Sequence, residues 1–518
     1  MFVRPASLLV VLVLGLGACV SDPSPSGSTQ DPAGTATPRP SATPIPTPTP
    51  IPEVETPLAI ITGYIADAAE ISVTAAQSLP QPFIACEVTA YMGTDLDPAR
   101  SCESAAALVE RIATVDTDLV AAVPPSFVTP SVKVLPVDGA DLFGGPAARE
   151  ASYPLTGRAI GVEPYDPGEI RTLMSLGDSC PDRGVAYAAI TLGRGWDWIF
   201  GGGTAEYTAV YPNPAPPGTV GNGFNIVDAV PTGNEGAVAE LVSGADVTLD
   251  DFECPVVDDF TVNDGVVFSI DPAVLPRLRD TYGVDVATLA ANHLFDRGTP
   301  GFLETLEQFD AAGIPTTGAG ADLEAALEPA FVDVNGLTFG FVAFNEIPGS
   351  LEAGPDQPGV LWLRDANVTE AVSRARDGGA ELVICVPQWW GGGEYHAQFL
   401  GDMRRQQEVF FAAGCDHVIG HGTHWSGPIE ITPTEDGDHR ATMVSHGNFL
   451  FGQEWSQQTQ EGVTLELAFR GTQLVQARMH PYIMLEQAQA NLTDPETDGT
   501  YVLNRIYEAS GLCCGAAP

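Results

Sequence analysis

The spacing of hydrophobic and polar residues divides the chain into stretches of different character. An isolated apolar run over residues 8–16 is shorter than the roughly 20 residues a helix needs to cross a bilayer. Residues 20 to about 57 hold almost nothing to bury. Between residues 58 and about 165, helical and strand periods alternate: residues 101–115 predict a helix and residues 132–137 a short strand. From residue 170 to about 481 the rhythm becomes regular. Short apolar runs that stop abruptly at polar residues alternate with helical segments such as 272–282 and 301–312. That is the pattern of an α/β domain with strands buried between helices. The Gly-, Pro- and Asn-rich residues 201–223 predict a loop. Beyond residue 481 the pattern shows a helix over 504–511 and little else.

Composition refines this picture. Hydrophobic residues at 44% of 518 are globular rather than disordered composition, and the length favours two domains with flexible ends. Arg4 ahead of the apolar run gives the first two regions of a secretory signal. The run ends in Leu16-Gly17-Ala18-Cys19, which looks like a bacterial lipobox. Cys19 is then the expected lipidation site, the alternative being an ordinary signal peptide with a chance cysteine. Thr-Pro and Ile-Pro repeats over residues 38–52 favour polyproline geometry and a semi-rigid tether. The expectation is an exported protein, lipid-anchored to the cell membrane and facing outside the cytoplasm.

Sixty-seven acidic residues against 22 basic ones give a net charge of −45. Such a surface repels nucleic acid and anionic lipid, and both are discarded as partners. A polyanionic substrate is also repelled, except where bound metal or a local arginine reverses the sign. Eight cysteines remain besides Cys19. Export permits disulfides, and Cys86 with Cys102 is the first expected pair. The oligomeric state does not follow from the sequence.

The chemistry concentrates where apolar runs end. Residues 172–176 run into Gly177-Asp178, 245–249 into Asp250-Asp251-Phe252-Glu253, and 284–289 into Ala291-Asn292-His293. Residues 382–386 run into Gln388-Trp389-Trp390-Gly391, and 416–419 into Gly420-His421-Gly422-Thr423-His424. In an open α/β sheet the carboxyl ends of the strands line one edge, where sites form. Mixed carboxylate, amide and imidazole ligands suit Mn, Fe or Zn, and two such ions can hold a phosphate and activate a water. Each residue also has a plainer reading: Asp178 caps a turn, Asn292 caps a helix start, and His417 is structural.

The order of these segments resembles the CapA-like poly-gamma-glutamate capsule synthesis family. Gly177-Asp178-Ser179-Cys180-Pro181-Asp182-Arg183-Gly184 is similar to its opening Gly-Asp…Arg motif, and Asp251-Phe252-Glu253 stands where the family has Asn-Leu-Glu. Residues 290–298 are close to the family's Ala-Asn-Asn-His-x-x-Asp-x-Gly. Gly318-Ala319-Gly320 and Gly447-Asn448-Phe449 match further blocks. The resemblance implies a metallophosphatase-like (calcineurin-like) α/β sandwich over residues 166–481, with a smaller N-terminal α/β accessory domain over 58–165. Residues 1–18 would be signal, 19–57 tether and 482–518 a C-terminal tail. It implies Asp178, Glu253, Asn292, His421 and His424 as ligands to one or two divalent transition-metal ions. His293, Asp251 and Arg183 become the catalytic candidates, with Arg297 a further source of positive charge.

Two departures matter. The family's His-Trp-Gly block reads Gln388-Trp389-Trp390-Gly391 here, with His396 nearby as a substitute. The second is Asp251 in place of the family's Asn, a change that adds charge and need not disable the site. Cys180 stands two residues after Asp178, where it either binds metal or bridges to Cys254. The expected function is a metal-dependent hydrolase of phosphoesterase type, acting on a surface polymer or small anionic substrate at the cell envelope. The alternative is a non-catalytic lipoprotein that binds or anchors polymer through a degraded metal site. A third reading, a solute-binding receptor, rests on residues 132–139 and 153–155, which are similar to a fragment of periplasmic solute-binding proteins.

Overall fold

The strand Ile170–Cys180 organises the main body, and all eleven of its residues are buried. In this computed structural model, which describes residues 52–262 and 265–513, that strand lies inside a ten-stranded sheet. It pairs in parallel with Val247–Phe252 and Asn448–Phe451, and antiparallel with Glu461–Arg470. Val286–Thr288 and Thr316–Thr317 continue the parallel series outward. A second, six-stranded sheet is built on the parallel strands Leu337–Asn345, Leu382–Gln388, His417–Ile419 and His439–Met443. Strands buried on both faces must be apolar nearly throughout, which is why these runs stand out in the sequence.

The two sheets face each other. Leu173, Leu249 and Val286 of one share a core with Phe339, Ile384, Val386 and Ile419 of the other. Helices Leu275–Asp280 and Gly298–Ala312 close the outer face of the larger sheet through Leu278, Phe302 and Phe309. Helices Asp365–Asp377 and Met403–Ala413 close the smaller one through Val368, Val372 and Phe410. The result is the expected α/β sandwich, helix on sheet on sheet on helix. Each fully buried Leu, Ile or Phe contributes about 1.5–3 kcal/mol.

Residues 53–160 form two smaller sheets around a core that also takes in Ile170, Ala468 and Val475. The expected helix runs over Ala105–Thr114, started by Ser104, whose side chain accepts from the Ala107 N–H. The expected strand is Val132–Val134.

The signal, Cys19 and residues 19–51 of the tether lie outside the described residues, as does Cys514. Among the described residues no helix is long and apolar enough to cross a membrane.

Three stretches differ from expectation. Within the predicted loop over 201–223, Thr204–Pro212 is a strand paired antiparallel with Asn225–Gly233. It lies towards the sheet edge with most side chains exposed, so no apolar alternation announces it. Glu53–Pro57, inside the predicted tether, pairs with Thr156–Ile160. Strand Gln473–Leu485 runs through residue 481, and helix Thr500–Ala509 packs Val502, Leu503 and Ile506 into the intersheet core.

Disulfides join Cys86 to Cys102 as expected, Cys180 to Cys254, and Cys385 to Cys415. Cys180 is therefore not a metal ligand here.

Gly177, one residue before Asp178, shows how tightly the sheet edge is assembled. A Cβ there would stand 2.3 Å from the Gly447 carbonyl oxygen and 2.6 Å from the Tyr482 hydroxyl. Neither yields easily: Gly447 O accepts from the Asp178 N–H (2.9 Å), and Tyr482 donates to Asn448 O (2.8 Å). Gly177→Ala is expected to cost about 1–3 kcal/mol, read as a lowered urea midpoint. Gly393→Ala, with open space around the new atom, should leave the midpoint where it is. Equal midpoints for both variants would contradict this packing.

Candidate metal centre

Strand register brings the polar residues together. Asp178, at the end of its strand, lies opposite Asp251 on one side and Asn448 on the other. In the facing sheet Gln388 lies opposite Asn345 and bridges to His421. The segment after His417–Ile419 turns sharply: Gly422 has φ +91° and His424 φ +60°. Arg183 and Tyr395 also hold positive φ (45° and 62°). Left-handed backbone at non-glycine residues is uncommon and tends to cluster at functional sites.

Two ligand groups share Asp178. Asp178, Asp251 and His421 form one, and Asp178, Glu253 and His424 the other, with ligand atoms in each within 4.8 Å of one another. His421 Nδ1 is 3.1 Å from Asp178 Oδ1 and 3.9 Å from Asp251 Oδ2, while His424 Nδ1 is 3.3 Å from Asp178 Oδ2. His424 Nδ1 also lies 2.9 Å from Asn448 Oδ1. Asn448 is itself oriented by donating Nδ2 to Gln453 and to the Thr459 carbonyl. That acceptor puts the imidazole proton on Nδ1 and leaves Nε2 as an electron-pair donor.

The donor set fits a cation. Asp251 Oδ2, Glu253 Oε2, Asn292 Oδ1, Gln388 Oε1 and His421 Nε2 are buried without hydrogen-bond partners. The first four are acceptors only. Leaving each unsatisfied costs about 1–3 kcal/mol. A divalent ion satisfies several such atoms at once, and carboxylate, amide and imidazole ligands suit a first-row transition metal.

Burial opposes every charge in the cluster. It raises the Asp250 carboxyl to about 7 although the Ser179 hydroxyl donates to it (2.7 Å). It raises Asp251 to about 6 against the pull of His421. Burial and then Asp178 push Glu253 well above the usual carboxylate range. Asp178 goes the other way, because hydrogen bonds with His421 and His424 outweigh its burial. Burial also disfavours the imidazolium forms, yet Asp251 and Asp178 raise His421, and Asp178 and Glu253 raise His424 to about 9.

The structure thus gathers Asp178, Asp251, Glu253, His421 and His424. Asn292 opens the short turn Asn292–Phe295 with its Oδ1 buried and unpartnered, and it does not cap that turn. His293 is partly exposed, with Nδ1 3.0 Å from Asp296 Oδ2 and its ring edge-on to Phe268. Arg183 lies over the rings of Phe268 and Phe451 and donates Nε to Gly265 O. Phe451 in turn contacts His424, which places Arg183 one ring away from the ligands. It lines a cleft of about 790 Å³. Arg297 donates to the Asp259 carbonyl. His417 is buried and accepts from the Ala441 N–H, a structural role. His396 joins neither ligand group; Gln388 stands at the site instead and donates Nε2 to Glu253 (3.0 Å).

Sequence reasoning passed over His446 and the ligand-orienting part of Asn448. His446 is fully buried, stacks on His421 at 4.8 Å and 9°, and has no partner at either ring nitrogen. The only sequence signal was its place directly before the Gly447-Asn448-Phe449 block.

Residues 172–453 match the family model described as "Bacterial capsule synthesis protein PGA_cap", a span that includes both ligand groups. The chain is similar to "PGA biosynthesis protein CapA" of Bacillus subtilis, 30% identical over 175 residues, 33% of this chain and 43% of the relative. It is also similar to a "Probable polyglutamine synthesis accessory protein" of Mycobacterium tuberculosis, 32% identical over 216 residues, 39% of this chain and 55% of the relative. The chain spans about half the length of the curated relatives it matches. Among solved structures, a 5'-nucleotidase precursor from Thermus thermophilus aligns at 14% identity with a TM-score of 0.35, over 65% of this chain and 58% of that one.

His421→Ala combined with His424→Ala is expected to abolish retention of Mn, Fe or Zn after dialysis, measured by elemental mass spectrometry. The far-ultraviolet circular dichroism should be unchanged. Undiminished metal content in that variant would sink the ligand assignment. Because the ion must displace protons from Asp251, Glu253 and the imidazoles, affinity should rise with pH through the Asp251 value of about 6 and up to the His424 value of about 9, with proton release. Calorimetry in buffers of different ionisation enthalpy measures that release, and identical heats in all of them would count against it.

Proposed function

The chain belongs to the PGA_cap family of bacterial capsule synthesis proteins, and from that premise we propose that its buried centre is a metal-dependent hydrolase site. Its substrate would be an anionic ester or amide, within a surface polymer or a small molecule, at the cell envelope. The names of its relatives refer to PGA biosynthesis and polyglutamine synthesis, which makes a polyglutamate-type polymer the first substrate to test. Export and anchoring through Cys19 belong to the same proposal and rest on the sequence.

The observation that carries this reading is the pair of buried ligand groups that share Asp178, several of whose polar atoms have no hydrogen-bond partner. Asp178, Asp251, Glu253, His421 and His424 would hold the metal, with Gln388 Oε1 and Asn292 Oδ1 as neutral oxygens at the same edge. A divalent ion held there would supply Lewis acidity towards the scissile group and the attacking water. The protein supplies the rest. Burial excludes bulk water from the ligands and strengthens their electrostatics. His293, its Nδ1 held by Asp296, presents Nε2 to exchange a proton with the leaving group. Arg183, stacked on two rings at the adjacent cleft, gives an anionic substrate one fixed positive charge in a strongly acidic protein.

One observation favours a non-catalytic alternative. Gln388 replaces the expected histidine, and its only donor group is committed to Glu253. That amide binds a transition metal more weakly than imidazole, so one ion would be held less firmly than the other. The alternative is a polymer-binding protein with a partial metal site.

Metal-loaded protein is expected to hydrolyse an aryl phosphate or a polyglutamate chain. His293→Ala should lower kcat by about a hundredfold or more with metal content unchanged. Stoichiometric metal with no turnover on either substrate class, together with retention on immobilised polyglutamate, would replace the hydrolase reading with the binding one.

A further inference from the structure

Tyr395 stands beside the metal centre in a backbone conformation that its side chain disfavours. Its φ is +62°, and that of His424, against which it packs, is +60°. Left-handed backbone is a genuine outlier for a bulky residue, and it persists only where the surroundings over-determine it. Here they do. The Tyr395 N–H donates to the Thr423 carbonyl (2.9 Å), one residue before His424. The two rings then stack, with centroids 5.5 Å and planes 26° apart. Trp455 closes edge-on against the phenol ring at 5.6 Å and 78°. Its own backbone is held in turn, because its carbonyl accepts from Asn213 Nδ2 (2.8 Å), just after strand Thr204–Pro212. His424 is buried whereas Tyr395 is partly exposed, so the phenol ring stands on the solvent side of a ligand imidazole.

What surrounds the hydroxyl decides what it can do. The charged groups acting on it are Glu394, which also hydrogen-bonds to it, Arg183 and Glu253. Tyr395 is likewise foremost among the side chains that act on the Arg183 guanidinium, ahead of Asp182 and Asp296. Glu253 belongs to one ligand group, and Asp296 holds His293 Nδ1. Ring contacts trace the same ground. His424 meets Phe451 at 5.0 Å, and the Arg183 guanidinium lies 5.8 Å from the Phe451 ring. Phe268 then links Arg183 (4.6 Å) to His293 (4.7 Å). The phenol therefore shares one neighbourhood with the ligands, the fixed cation and the proton-exchanging imidazole. Burial and then Glu394 raise its hydroxyl above the usual phenol range, so at neutral pH it keeps its proton and can donate.

We propose that Tyr395 is a substrate-contacting residue of this centre, its hydroxyl donating, together with Arg183, to an anionic oxygen of the bound substrate. That oxygen replaces Glu394 as the acceptor. This role rests on reading the centre as a site for an anionic ester or amide. A phenol suits the position because it binds an oxyanion without bringing a further charge into a cluster of carboxylates. Stacking on His424 alone needs only the ring, which phenylalanine also has.

The test uses the full chain loaded with Mn, and two probes, orthophosphate and a short polyglutamate chain, followed by calorimetry. Metal content and Tm are measured in parallel. Wild-type protein is expected to bind at least one probe saturably. Tyr395→Phe keeps the ring and its stack, so metal content and Tm should stay unchanged while affinity for that probe falls about tenfold. Wild-type affinity in Tyr395→Phe would overturn the proposal. So would a loss of metal matching the loss of binding, or no saturable binding of either probe to wild-type protein up to about 10 mM. Turnover is scored separately. Weakened binding in Tyr395→Phe with an inactive wild type keeps this contact and removes the hydrolase reading. An active wild type with unweakened binding in the variant does the reverse.

Discussion

Asp178, Asp250, Asp251 and Glu253 are buried at the carboxyl edge of two facing sheets, with His421 and His424 set among them. Charges removed from water are costly unless paired and hydrogen-bonded. Much of the surrounding structure serves to hold these groups in place. Gly177 and Gly447 allow the backbones on either side of Asp178 to meet. His424 accepts a left-handed backbone so that its ring can lie between Asp178 and Asn448. The Cys180–Cys254 disulfide ties together the two segments that carry Asp178 and Glu253.

Charge elsewhere is handled differently. Most arginines are committed to surface carboxylates: Arg374 pairs with Glu324, Glu328 and Glu370, and Arg405 with Asp365 and Asp402. Such exposed pairs add little stability, about 0–1 kcal/mol each, but they leave few cations available for ligands. Arg183 is an exception, and the chain's single lysine, Lys133, forms no ion pair among the described residues. Arg183 stacks on aromatic rings beside a cleft, and Lys133 is capped by carbonyls beside a cavity.

The accessory region is built on different physics from the main body. Its sheets are small, and their core closes only by including Ile170, Ala468 and Val475 of the larger sheet. Small sheets bury too little apolar surface to stand alone comfortably.

Strands sandwiched between layers are apolar along their whole length, and their abrupt ends at Asp178, Asp251, Asn292 and His421 were therefore legible from the sequence alone. So were the family resemblance and the Cys86–Cys102 pair, which is close in the chain. The strand Thr204–Pro212, next to the sheet edge, was not legible, because strands with mostly exposed side chains carry no periodic apolar signal. Nor was His446, whose importance comes from stacking on a residue 25 positions away. Local periodicity and residue type determined which side chains end strands and what chemistry they have. Only the tertiary structure decided which of them share a water-free space, since strand register and sheet packing are long-range contacts that no short window of sequence contains.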